Sequence, residues 1–372
     1  MSATIPPAAD PEEETRVLPA SRRRGRAAAT NDPGRFEGQS RAMTDDGWPR
    51  DDGDLPPIRT EVRLERPRSV ISRNSSPDIP FDRSINPYRG CEHGCIYCFA
   101  RPGHAYLNLS PGLDFETRLI ARPGAGAVLE RELRAKSYRP AVMAIGTYTD
   151  PYQPVETRYR VMRELIEVLS AFNHPLGIVT KGSGIERDLD LLAPMAAKGL
   201  LHVGISVTTL DPKLARTMEP RVPAPARRLR TIRRLAEAGI PVRVMVAPVI
   251  PGLTDPELEA ILAAGAEAGA RSASWIMLRL PREVSPLFRD WLAEHYPDRF
   301  NRVMSKLREM HGGQDYSADW GKRMRGEGTY AELVGQRFRL AARRLGLDRP
   351  LPPLRCDLFA PPARAGDQLS LF

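Results

Sequence analysis

From about residue 85 the chain alternates between short apolar, β-rich runs and longer segments whose apolar residues return with helical period. The runs are Ser84 to Arg89, Ala141 to Thr147, Leu176 to Thr180, His202 to Thr208, Val242 to Pro248 and Ser274 to Leu280, and each reads as a strand. Between them lie segments such as Arg158 to Phe172, where Val161, Leu165 and Val168 share one face while Arg160, Arg163, Glu164 and Glu167 cover the other. Six strand–helix units in succession predict an α/β fold built on parallel strands, a partial (β/α)6 barrel, with function gathered at the carboxyl ends of the strands. Polar residues stand at those ends. Strand one runs into a cysteine-rich loop, strand two ends in Thr147-Tyr148-Thr149-Asp150, strand three in Thr180-Lys181, and strand four carries Ser206 and Thr208.

The pattern fails on both flanks. Residues 1–65 are dense in Pro, Gly, Asp and Arg without apolar periodicity, which predicts a disordered tail ahead of the 66–285 barrel unit. Residues 286–350 read as a helical extension, and 351–372 as a Pro-rich flexible tail.

Composition narrows the classes. No run approaches the roughly 18 uncharged apolar residues of a membrane span, and Glu12, Glu13 and Glu14 stand where a secretory signal is basic and then apolar, so a cytoplasmic protein without membrane contact is expected. Of the 55 basic residues 49 are Arg, a bias of genome composition that does not by itself explain the net charge of +9. Residues 1–60 hold nine Arg against eleven acids, net −2, which leaves +11 on the remainder. Some basic surface for phosphate is therefore expected. Arg227, Arg230 and Arg234 form one stripe opposite Leu229, Ile232 and Leu235, and the solvated outer face of a helix is the favoured reading over a phosphate site. Tyr316, Trp320 and Tyr330 among Lys322, Arg323 and Arg325 read as packing before base stacking.

Three of the four cysteines fall within eight residues, in Cys91-Glu92-His93-Gly94-Cys95-Ile96-Tyr97-Cys98, which is no disulfide framework. Three thiolates on one tight loop suit three irons of a cubane and leave the fourth iron without a protein ligand. Gly90 and Gly94 permit the turns such a loop needs. The alternative is a closed zinc site completed by His93, His104 or Cys356. It is the weaker reading, because zinc motifs pair two Cys/His units and one cysteine remains elsewhere.

With Tyr97 before the last cysteine, this spacing resembles the CxxxCxxC signature of the radical S-adenosylmethionine (radical SAM) superfamily. The resemblance implies a [4Fe-4S] cluster on Cys91, Cys95 and Cys98 whose open iron chelates the methionine end of S-adenosyl-L-methionine. It also implies reductive cleavage to a 5′-deoxyadenosyl radical that abstracts hydrogen from a substrate, and an electron donor such as flavodoxin or ferredoxin. Val179-Thr180-Lys181, Ser206, Glu219-Pro220, Ala238-Gly239-Ile240-Pro241 and Val246-Ala247-Pro248-Val249 are similar, in order, to the strand ends and turns of the spore photoproduct lyase family over about residues 85–255. Asn86-Pro87-Tyr88-Arg89-Gly90 and Thr149-Asp150-Pro151-Tyr152-Gln153-Pro154 resemble one branch of the DNA repair photolyase-like set. By this resemblance Lys181 and Ser206 bind the cofactor carboxylate and its surroundings, Thr147, Thr149 and Asp150 supply acceptors for its ammonium, and Tyr97 packs by the adenine. Tyr148, lining the pocket, and Arg221, in the loop after strand four, are the candidate catalytic residues. That family uses a cysteine in its second strand to return hydrogen to the substrate, and Gly146-Thr147-Tyr148-Thr149 has none, so simple photoproduct reversal is not expected.

The chain ends in Gln368-Leu369-Ser370-Leu371-Phe372, which resembles the QLxLF peptide by which bacterial repair proteins dock on the DNA sliding clamp. Gln368, Leu369, Leu371 and Phe372 are the anchors, carried on a flexible arm. The expected substrate is accordingly DNA or another nucleic acid in repair. A radical SAM enzyme for a peptide, tRNA or metabolite is one alternative, and a zinc-binding module without chemistry the second.

Overall fold

The computed structural model describes residues 17–18, 20–37 and 56–363. Its strands are β1 (Glu61–Leu64), β2 (Ile71–Arg73), β3 (Arg83–Ile85), β4 (Tyr88–Arg89), β5 (Arg118–Ala121), β6 (Met143–Ile145), β7 (Leu176–Thr180), β8 (Leu201–Ser206), β9 (Val242–Val249) and β10 (Ser272–Met277). Its helices are α1 (Leu113–Thr117), α2 (Ala125–Leu133), α3 (Glu156–Tyr159), α4 (Val161–Ala171), α5 (Leu189–Ala197), α6 (Pro212–Met218), α7 (Pro225–Glu237), α8 (Leu258–Glu267), α9 (Val284–His295), α10 (Pro297–Met310) and α11 (Gly328–Arg344).

The six apolar runs all become strands, and they pair in parallel in chain order: β3, β6, β7, β8, β9, β10. The sheet is open. β2, antiparallel to β3, forms one edge and β10 the other, so the barrel expectation holds for its parallel strands but not for closure. The first run is shorter than Ser84 to Arg89, because Pro87 has no N–H for the ladder. Past Pro87 the chain leaves the sheet, and Tyr88–Arg89 pairs instead with β5 in the smaller sheet β1-β5-β4. The second run stops at Ile145, because Gly146 turns at φ +88°, where a Cβ would lie 1.8 Å from the Val179 carbonyl oxygen. Helix α4 buries Val161, Met162, Leu165, Ile166 and Leu169 against the sheet.

The basic helix α7 departs from its expected faces. Arg228 is buried beside Thr231, Ile232 and Leu235, while Leu229 is half-buried. Arg227 and Arg234 share the one carboxylate of Glu186, the latter at 2.9 Å, while Arg230 stays exposed. In the extension, Tyr330 donates to Asp255 at 2.6 Å, Arg323 pairs with Asp78 at 2.6 Å and Arg325 stacks 4.2 Å over Trp275, as packing requires, whereas Trp320 is 62% exposed and does not pack.

Two expected tails are ordered where the structure describes them. Residues 26–29 are buried, Leu18 N donates to the Ala29 carbonyl at 3.0 Å, and 61–64 form β1, so the disordered tail expected through 65 does not extend over 17–18, 20–37 and 56–65. Small Ala27-Ala28-Ala29 fit beneath other elements without any periodic pattern, and β1 is mostly exposed, so neither gives a hydrophobic repeat. At the other end Arg355 N donates to Gly199 O at 3.0 Å and Ala360 N to Phe172 O at 3.0 Å. Phe359 meets the rings of Tyr138, Phe172 and His174 at 5.6, 6.0 and 5.5 Å. The flexible tail expected from 351 therefore gives way to a packed segment up to 363; the Gln368–Phe372 motif lies outside the described residues. Among the described residues no helix is long and apolar enough to cross a membrane.

Removing the Phe359 ring should cost about 1–3 kcal/mol and lower Tm by several degrees in thermal melts of Phe359→Ala. Burial holds His174 neutral, with its pKa lowered from 6.5 to about 4. The unfolded chain takes up this proton first as pH falls, so the stability His174 contributes is complete above about pH 6.5 and drains away toward pH 4. Tm of His174→Gln should accordingly fall less steeply than wild type across that window; equal slopes would contradict the assignment.

Candidate active site

The cysteine loop has no ladder of its own and is held by side chains. Arg101 is fully buried and spends all five N–H groups. Its Nε donates to Cys95 O at 3.0 Å and Nη2 to Gly94 O at 3.1 Å and Glu116 Oε1 at 2.6 Å. Its Nη1 reaches Pro111 O and Gly112 O, each at 3.0 Å. Glu116, equally buried, accepts in turn from Ala27 N at 3.1 Å and Ala28 N at 3.0 Å, and Arg26 Nη1 caps its carbonyl at 2.8 Å. Gly94 turns at φ +64° against this carboxylate, where a Cβ would lie 2.7 Å from Glu116 Oε2. Gln153 braces both ends of the turn, accepting from Glu92 N at 2.7 Å and donating to Gly90 O at 3.2 Å.

On the other side, Ile96 N donates to Met218 O at 3.0 Å, which ties the loop to the end of α6. Next to it, Glu219 is buried and ion-paired with Arg228 at 2.7 Å. It also accepts from Thr208 Oγ1 at 2.8 Å and from the hydroxyl of Tyr97. Burial opposes its charge, but Arg228 and then Lys181 outweigh it, so the carboxyl stays below its usual range.

The residues expected at the strand ends fall into two groups. Lys181 and Ser206 are the less engaged: the Lys181 ammonium donates one long bond, 3.5 Å, to Ala247 O and stands 5.7 Å from the centre of the Tyr97 ring, close enough to act on Cys95 and Cys98. Ser206 is buried and its Oγ has no hydrogen-bond partner among the described residues, while its carbonyl accepts from Arg228 at 3.0 Å. Thr147 is half-buried in the turn after β6.

The second group is already engaged. Thr149 Oγ1 donates to Tyr88 O at 2.9 Å. The Asp150 carboxylate accepts from Thr180 Oγ1 at 2.6 Å, Lys181 N at 2.7 Å and Tyr152 N at 2.9 Å. His93 Nδ1 lies 3.4 Å from it, an ion-pair distance without hydrogen-bond alignment. Burial pushes Asp150 up, yet His93 and these donors hold it at about 2. Arg221 pairs with Glu92 at 2.9 Å and is 36% exposed, so it braces the cysteine loop from outside. Tyr148 is partly exposed; its hydroxyl donates to Ala100 O at 3.2 Å, and burial followed by the nearby Cys98 raises it to about 12.

Arg101, Glu116, Gln153, Glu219 and Arg228 stood outside the expected site. Gln153 and Glu219 lie within motifs that carried the family resemblance; the other three are charged residues that sequence alone places on a surface.

The donor set fits an iron–sulfur cluster. Cys91 and Cys95 are buried and Cys98 half-buried, and burial raises all three thiols, followed by the nearby carboxylates, Asp150 for Cys91 and Cys98 and Glu219 for Cys95. Among the described residues no group of three or more His, Cys, Asp or Glu side chains is drawn together for a single metal ion, and His104 Nε2 is engaged 3.0 Å from Arg118 O. Three thiols carried on one short loop suit three irons of a cubane.

A family model described as the Radical SAM superfamily matches residues 85–264. An uncharacterized protein of Mycobacterium tuberculosis is 38% identical over 333 residues, covering 84% of this chain and 94% of the relative. The chain belongs to the radical SAM superfamily. An uncharacterized protein of Methanocaldococcus jannaschii is 24% identical over 223 residues, 60% of this chain and 79% of that one. The structure of spore photoproduct lyase complexed with dinucleoside spore photoproduct shares the fold, with a TM-score of 0.54 at 15% identity over 76% of this chain and 79% of that one. Membership in the radical SAM superfamily implies a [4Fe-4S] cluster and S-adenosyl-L-methionine, for which Cys91, Cys95 and Cys98 are the ligands at hand.

Glu116→Ala leaves the buried Arg101 guanidinium uncompensated, a loss of about 3–5 kcal/mol. Iron and sulfide per chain after anaerobic purification should fall with it. Unchanged cluster content in that variant would show that the pair does not hold the loop.

Proposed function

We propose that the protein is a radical SAM enzyme acting on DNA or another nucleic acid in repair, in the cytoplasm, with its cluster reduced by a flavodoxin or ferredoxin. The observation that carries the chemistry is the three-thiol loop that follows β4, with the Lys181 ammonium 5.7 Å from the ring of Tyr97 within it. When bound, the cluster and S-adenosyl-L-methionine supply a one-electron reductive cleavage to methionine and a 5′-deoxyadenosyl radical.

The chain's own residues bind, orient and shield. Lys181 offers a cation to the cofactor carboxylate and Ser206 a hydroxyl, both charge-matched partners for that group. Tyr97, its hydroxyl fixed on Glu219, offers a ring of settled orientation for the adenine. Thr147 stands in the turn after β6, where the ammonium end is expected. Asp150 and Thr149 hold that turn and the Lys181 backbone in place, and Tyr148 lines the substrate side. Nucleic acid as substrate is supported by the +9 charge, by the fold shared with a lyase bound to a dinucleoside photoproduct, and by the Gln368, Leu369, Leu371 and Phe372 anchors for a DNA sliding clamp.

The test is reductive cofactor cleavage with DNA lesions as substrates. Cys91→Ala, Cys95→Ala and Cys98→Ala should each abolish 5′-deoxyadenosine formation, and stoichiometric zinc without sulfide would overturn the enzyme reading. Lys181→Met should weaken S-adenosyl-L-methionine binding by about 10- to 100-fold, as loss of one charge-assisted hydrogen bond does. Deleting residues 368–372 should eliminate clamp binding; unchanged affinity would remove the recruitment argument.

A further inference from the structure

Five aromatic side chains reach solvent among the described residues, Phe36, Tyr106 and Trp320 over more than half of their surface and Phe99 and Tyr148 over 39%. Four of them make one surface beside the cysteine loop. Phe99 follows Cys98 directly and meets Tyr148 edge-on at 6.4 Å. The Tyr148 hydroxyl rests on Gly103, where a Cβ would fall 1.5 Å from it, and Gly103 shares the 3-10 turn Arg101–Leu107 with Tyr106. Tyr106, 70% exposed, tilts against Phe36 with ring centres 4.9 Å apart.

Cations are interleaved with these rings. Arg35 lies 4.7 Å over Phe36 and 5.1 Å over Tyr106, and it is paired with Glu283 at 2.9 Å. Arg279, at the end of β10, lies 4.7 Å over Phe99. It has no carboxylate partner among the described residues: Nη2 donates to the Tyr316 hydroxyl at 3.3 Å, and Nε is buried without a partner. The surface thus joins exposed ring faces to an uncompensated guanidinium.

Water is a poor neighbour for contiguous ring faces, and monomeric proteins rarely leave such a patch uncovered without a partner. A duplex hides its base faces inside the stack and offers only groove edges and phosphates. An unpaired strand offers both a π-face for each ring and a phosphate for each free arginine. We propose that Phe36, Tyr106, Tyr148 and Phe99, with Arg279, form a stacking surface for the unpaired bases of a single-stranded nucleic acid, next to the cysteine loop. This rests on the nucleic-acid reading above and specifies the form of strand and the residues that receive it.

The test is fluorescence anisotropy of the full-length, cluster-loaded protein with a labelled oligothymidylate of about fifteen nucleotides, against a duplex of equal length at the same salt. The single strand should bind more tightly than the duplex. Phe36→Ala and Tyr106→Ala should each weaken it by about 5- to 100-fold, the span measured for losing one base-stacking ring. Phe36→Trp, which restores a ring, should bind as wild type does. Circular dichroism and iron content matching wild type establish that each variant is folded. Equal single-strand affinity in the alanine variants, or preference for the duplex, overturns this inference and leaves the nucleic-acid reading standing. Binding of neither form overturns both.

Discussion

The site depends on one buried ion pair, Arg101 with Glu116. A pair withdrawn from water loses hydration that its own attraction barely restores, so it is poorly explained as a source of stability. Its value is geometric. Three thiols must be presented from a segment without regular hydrogen bonding, and a guanidinium with five donors in a fixed plane can fix two of that segment's carbonyls at once. Glu116 hands the constraint on through Ala27 N and Ala28 N, 89 and 88 residues earlier in the chain, so the N-terminal segment becomes part of the cysteine loop's support.

A second buried pair, Arg228 with Glu219, sits on the opposite side of the loop and is tied to it through Tyr97. The loop is therefore gripped from both sides, by α1 and the N-terminal segment on one and by the α6–α7 connection on the other. Both pairs are satisfied by further donors, Thr208 for Glu219 and the alanine amides for Glu116, as a buried charge demands. Such support lets a short loop act as a rigid platform, which is what orienting a reactive cofactor requires.

The parts legible in the sequence were those with a period or a motif. The succession of apolar runs and helical segments marked the sheet, and the cysteine spacing marked the loop that the buried ion pairs hold. What stayed hidden has a physical reason in each case. Arg101, Arg228 and Glu116 are charged residues at zero or near-zero exposure, and a sequence read by polarity assigns them to water. Arg227 and Arg234 look like a free basic stripe until Glu186, on a distant turn, is brought beside them. The Ala27–Ala29 run and the segment around Phe359 pack by single contacts, with no repeat to announce them.

Asp150 shows the same limit at the site itself. As an acidic residue at a strand end it reads as a ligand for an ammonium group, and the family resemblance agrees. In the fold its two oxygens are taken by Thr180 Oγ1, Lys181 N and Tyr152 N, with His93 alongside. The carboxylate thus fastens the end of β7 to the turn after β6, and the Lys181 side chain starts from a backbone that Asp150 fixes. A further donor would have to use the one remaining lone pair, on Oδ2, which His93 Nδ1 already faces at 3.4 Å. What Asp150 fixes is the backbone from which the Lys181 ammonium reaches Ala247 O and the Tyr97 ring.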